Sequence, residues 1–112
     1  MNAGKGTDER QVAHGYYREH LFMEAREKAD IRARFSTHAE REGYKLGKIF
    51  EEKVESVPAA FRDLVDAVLA DHARAVVVPS LTHFAVLGHP IRVRDDIESA
   101  LHVAVLVSDP RP

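Results

Sequence analysis

Five side chains in this sequence could grip an oxyanion between two neighbouring loops. Arg18 and His20 lie in the stretch Gly15-Tyr-Tyr-Arg-Glu-His20, and Ser80, Thr82 and His83 follow Pro79. A guanidinium and two imidazoles carry the N–H donors that an anion such as phosphate needs, and the hydroxyls add neutral donors. Two histidines with Glu51 or Glu52 as a third ligand would also suit zinc, but the spacing matches no short metal motif. The plainer alternative is a set of surface or half-buried histidines held by local hydrogen bonds. No metal and no cofactor is assigned on these grounds.

Other chemistries find less support. Gly43, Gly47 and Gly88 are isolated, so there is no glycine-rich phosphate loop of Walker or dinucleotide type. No serine stands in a nucleophile-elbow pattern. Asp95 and Asp96 are read as the start of a helix, where carboxylates favour the helix dipole, rather than as an acid/base pair.

The elements that must position these residues follow from hydrophobic spacing. Gln11 to Glu19, with Val12, Tyr16 and Tyr17, reads as a first strand. Phe22 to Glu42 is free of glycine and proline and reads as a long helix with Ile31, Phe35 and Ala39 on one stripe. Glu24–Lys28 and Asp30–Arg34 are expected as i,i+4 pairs, and Gly43 as the residue that stops the helix. Tyr44 to Phe50 reads as a second strand, weakened by Gly47. Glu51 to Val57 reads as a polar loop, and Ser56 and Pro58 signal a second helix. In that helix Phe61, Leu64, Val65, Val68 and Leu69 follow i, i+3, i+4, i+7, i+8, an inward face whose full burial would contribute roughly 10 kcal/mol gross.

Arg74 to Pro79 carries an unbroken Val-Val-Val run, the mark of a strand buried on both faces. Ser80 to Pro90 reads as a loop with room for a helical turn. Arg92 to Leu101 reads as a third helix with Ile97, Ala100 and Leu101 inward, and Val103 to Val107 as a fourth strand. The order β-α-β-α-β-α-β predicts a three-layer α/β/α fold with a four-stranded, mostly parallel sheet, in the order 2-1-3-4. Residues 1–10 are expected to form a flexible lead, 11–108 one domain and 109–112 a tail. Ligands of such sheets bind beyond the carboxyl ends of the strands, where strand order reverses, which is where Arg18, His20, Ser80, Thr82 and His83 would meet.

Composition narrows the function classes. The chain has 112 residues, fits one domain, and lacks cysteine, which removes disulfide and thiolate-metal chemistry and suits a reducing cytoplasm. Its sixteen Lys and Arg against eighteen Asp and Glu give a net charge of −2, which disfavours tight autonomous DNA binding. The apolar runs Ala75 to Pro79 and Val103 to Val107 are far short of the ~20 residues that span a bilayer, so no membrane partner is expected.

Four segments resemble the catalytic domain of serine recombinases, the resolvase/invertase family. Gly15-Tyr-Tyr-Arg-Glu-His20 is similar to the family's Y-x-R-x-S strand, and Ala39-Glu-Arg-Glu-Gly-Tyr44 to its A-x-x-x-G-[YW]. Phe50-Glu-Glu52 is similar to V-F-x-D, and Ala75-Val-Val-Val-Pro-Ser-Leu-Thr-His-Phe84 to D-x-V-V-V-x-S-L-D-R-L. The match runs from Val12 to Ser108. In that family a serine attacks a DNA phosphodiester, and arginines with an aspartate stabilise the transition state. Here the serine position falls at His20, while Arg18 matches the strand-one arginine. The aspartate and arginine of S-L-D-R fall at Thr82 and His83, and the next arginine at Val86. Val54-Glu-Ser-Val-Pro-Ala-Ala60 replaces the Ser-Gly and arginine region after strand two. The family continues into a long dimerisation helix and a DNA-binding domain, beyond the stretch that the match covers.

The resemblance therefore implies a resolvase-like domain without strand-exchange catalysis, a pseudoenzyme acting as a regulatory or binding module. It would contact a protein partner or a second copy, through helix three or the Phe84-Ala-Val-Leu87 segment if those side chains are not core. DNA contact would be weak and salt-sensitive. Two alternatives stay open: an unrelated flavodoxin-like domain that binds a small ligand or a protein, and a phosphoryl-transfer enzyme with His20 as the accepting nucleophile. Whether the chain is free-standing or a piece of a larger recombinase is equally open.

Overall fold

The computed structural model describes residues 9–53 and 58–109. Residues 1–8 of the expected lead, residues 54–57 with the Ser56 signal, and residues 110–112 of the expected tail lie outside the described residues. The elements are β1 (Gln11–Arg18), α1 (Ala25–Arg41), β2 (Tyr44–Glu52), α2 (Ala59–Asp71), β3 (Ala75–Val78), a 3-10 segment (Leu81–Leu87), α3 (Pro90–Leu101) and β4 (Ala104–Val107). The four strands form one sheet in the order β2-β1-β3-β4, and every pairing is parallel. The predicted class and strand order both hold.

Parallel pairing follows from the helical crossovers between successive strands, and burial follows from the helices on the two faces. Tyr17, Phe35 and Val77 cluster on the α1 face. Tyr16, Leu64, Val68, Val76, Val78, Phe84 and Ile97 cluster on the α2/α3 face. Ala75 to Val78 are all fully buried, as the unbroken valine run requires. Phe84 is fully buried too, so this residue of the 3-10 segment is core and unavailable to a partner.

Several boundaries move. α1 starts at Ala25, because Glu24 caps it in a reciprocal box with Glu27. The expected first residue, Phe22, sits instead in a turn with φ 65° and is 89% exposed. Pro90 starts α3 two residues early, so Asp95 and Asp96 fall mid-helix rather than at its first turn. Leu69 is 60% exposed rather than inward, and Ala100 is exposed as well. Gly43 follows α1 with φ 91°, a backbone that suits a glycine stop.

β2 extends two residues beyond its expected end, and its glycine has a specific use. Ala13 pairs with Leu46 but Gly15 with Ile49, so β2 carries one extra residue opposite His14. A Cβ on Gly47 would lie 2.6 Å from His14 Nδ1. The buried His14 ring fills that space. Its Nδ1 accepts the Lys48 N–H at 3.0 Å, and its Nε2 lies 3.0 Å from Asp71 Oδ2. One face of β2 holds Leu46 and Ile49 against the α1 side, and Phe50 packs on the other. Glu51 and Glu52 then point to opposite faces.

Candidate functional site

β1 and β3 are neighbours, so their carboxyl ends open at the same edge of the molecule. There Arg18, His20, Thr82 and His83 line one shallow depression of about 380 Å³, together with Glu19. Ser80 joins through its hydroxyl, which lies 2.7 Å from Thr82 Oγ1. The structure thus brings the five predicted residues to one place, with the Glu19 carboxylate beside them.

The two histidines have opposite electrostatic characters. His83 Nδ1 accepts the Arg18 backbone N–H at 2.8 Å, which fixes any remaining ring proton on Nε2. Burial, aided by the charges of His20 and Arg18, pushes its pKa down to about 4. His83 is therefore neutral near pH 7 and ties the 3-10 segment to the end of β1. His20 is exposed, and its two ring nitrogens lie 2.8 Å from the Leu21 carbonyl and 3.0 Å from Glu27 Oε2. The hydrogen bond to the Leu21 carbonyl, then the one to Glu27, raise its pKa. An imidazole donating from both nitrogens has no lone pair to offer a phosphoryl group.

The surrounding charges are matched. Lys28 Nζ reaches Glu19 Oε2 at 3.0 Å and Glu51 Oε2 at 2.7 Å. Hydrogen bonds to Glu51 and then Glu19 hold the Lys28 pKa well above its usual value. Burial alone would raise Glu51, but Lys28 outweighs it and the net shift is downward. Lys28 thus spans β1 and β2 instead of pairing with Glu24 inside α1. Arg34 likewise pairs with Asp109 at 3.2 Å rather than with Asp30.

Glu52, read from the sequence as part of a polar loop, is 1% exposed. Its carboxylate accepts the Ala60 N–H at 3.1 Å, the Phe61 N–H at 3.0 Å and the Tyr16 hydroxyl at 3.0 Å. It therefore caps α2 from the end of a strand, where a negative charge also meets the helix dipole favourably. Burial, then the Glu52 charge, raises the Tyr16 pKa and keeps the phenol protonated. The period-two alternation beyond Ile49 was the one available signal for this role. With Glu51 committed to Lys28 and Glu52 to α2, neither stands as the third ligand of a two-histidine metal site. No group of three His, Cys, Asp or Glu side chains fit to hold a metal occurs among the described residues.

Comparison with known structures finds a counterpart for the fold. The chain matches the C-terminal catalytic domain of ISC1926 TnpA, an IS607-like serine recombinase, with a TM-score of 0.69 over 89% of this chain and 70% of that one. The fold is that of a serine-recombinase catalytic domain. Sequence identity is 14%, so the likeness establishes the architecture of the resolvase-like domain and leaves its chemistry to its own residues. No family model matches the sequence, and neither does any curated protein. No helix among the described residues is long and apolar enough to cross a membrane.

Proposed function

We propose that this resolvase-like domain is a non-catalytic binding or regulatory module, a pseudoenzyme that works in a reducing cytoplasm through a protein partner or a second copy. The observation that carries this reading is the state of the strand-end depression. Phosphodiester attack needs a free hydroxyl facing several fixed cations. Here the two hydroxyls, Ser80 and Thr82, bond to each other. The arginine lining the depression is Arg18, His83 is neutral, and His20 is turned to Glu27. Losing even one charge-stabilising donor typically costs about 10²–10³ in rate. The committed nitrogens of His20 likewise weigh against phosphoryl transfer through that residue.

The test is covalent chemistry. The full chain is incubated with supercoiled plasmid and with end-labelled duplex DNA, and denaturing gels are read for nicks and for protein that migrates with label. Neither is expected. A protein–DNA adduct that maps to Ser80 or Thr82 would overturn the proposal, as would phosphodonor labelling of His20.

A further inference from the structure

A second depression lies along the flank of α1 and shares no lining residue with the first. It measures about 400 Å³ and is lined by Arg34, Thr37, His38 and Arg41 of α1 and by Ser108 and Asp109 after β4. Arg34, His38 and Arg41 are spaced i, i+4, i+7 and so share one side of the helix. Their electrostatic balance differs from that of the strand ends. Asp109 meets Arg34 at 3.2 Å, but among the described residues no carboxylate pairs with Arg41. Asp30 lies one turn before Arg34 on the same helix and does not line the groove. Two guanidiniums, an imidazole and two hydroxyls thus face a concave surface that holds one acid.

We propose that this groove binds phosphoryl oxyanions in series. Seven residues of helix place Arg34 and Arg41 roughly 10 Å apart along the axis, too far for one phosphate to sit squarely on both. The two guanidiniums suit a pair of phosphates, each held in a planar fork, with His38, Thr37 and Ser108 donating between them. A nucleic-acid backbone and a free diphosphate share this chemistry. The site is separate from the strand-end depression and does not depend on the non-catalytic reading, whose test is a covalent adduct.

The experiment measures anisotropy of a labelled 20-nucleotide single strand and of its duplex against the full chain in low salt, with sodium pyrophosphate as competitor. Arg41→Gln is expected to weaken binding about five- to tenfold. It should also make the slope of log K against log salt shallower by roughly 0.7–0.9, the value of one phosphate contact. Arg34→Gln should act in the same direction, whereas Arg92→Gln on α3 should bind like the parent chain. Amide shifts at Thr37 and His38 on adding pyrophosphate alone would identify a free diphosphate as sufficient. Shifts with DNA only would identify the backbone. Failure of all three probes to bind, or Arg41→Gln and Arg34→Gln binding like the parent, would overturn the proposal.

Discussion

The two faces of the sheet are held together near its carboxyl edge by different physics. On the α1 face, Lys28 draws Glu19 and Glu51 together through ion pairs that keep some contact with water. On the α2 face, Glu52, Tyr16 and His83 make buried hydrogen bonds to two helix N–H groups and to the end of β1. Water and salt screen the first set and barely reach the second. Each set takes up a donor that a phosphate could otherwise recruit, Lys28 in the first and the Tyr16 hydroxyl in the second, but removing members of the second should cost the fold more.

Glu52→Ala is the severest way to probe that difference. It leaves the Tyr16 hydroxyl and two α2 amides without their acceptor, and should lower stability by about 2–4 kcal/mol. That corresponds to roughly 10–15 °C in Tm for a domain of this size. A loss under ~1 kcal/mol in urea titration would mean that the buried face is no stronger than the charged one.

His83 gives the next largest effect, through pH. Its folded pKa of about 4 lies below the ordinary 6.5. The unfolded chain therefore binds more protons between those values, and stability must rise with pH across that window and level off above it. After discount for partial exposure, the change should be no more than about 2 kcal/mol. His83→Gln should flatten the profile between pH 4 and 6.5. His20 acts with the opposite sign: its contribution is present when it is protonated and fades as pH rises through its elevated folded pKa. NMR titration of the two imidazoles should show His20 gaining its proton first as pH falls.

Lys28→Met should cost about 1 kcal/mol, and the loss should shrink as salt is added. A salt-independent loss would show that the clamp works by packing instead. The smallest effect is expected from Glu27→Gln, which should bring the His20 pKa down towards its ordinary value while leaving His83 unmoved.

The parts of this fold that could be read in advance are those set by local pattern. The valine run of β3 announced a strand covered on both sides, and the spacing of Leu64 and Val68 announced the inner face of α2. Gly43 marked the end of α1. What escaped the sequence depended on distant partners. Pro58, the residue before α2, offers no side-chain acceptor, so the helix is capped by Glu52 from the end of β2. Lys28 and Arg34 each have a suitable acid one turn earlier on α1, yet both bond to carboxylates of other segments. The convergence of Arg18, His20, Thr82 and His83 could be inferred from strand order alone. Their pairing could not, because the neutral state of His83 comes from burial under groups far away in sequence.

The extra residue at Gly47-Lys48 reaches beyond its own neighbourhood. Between Tyr44 and Glu52 the chain holds one position more than simple alternation can place, and two consecutive residues share a single slot opposite His14. If that stretch were drawn out flat, odd and even positions downstream would trade sides. Glu51 would then meet the amides of α2, Glu52 would meet Lys28, and Phe50 would leave its apolar cluster. Deleting Lys48 outright should restore parity instead, so the shorter chain is expected to keep the α2 cap and to lose chiefly the bond between His14 and the Lys48 amide.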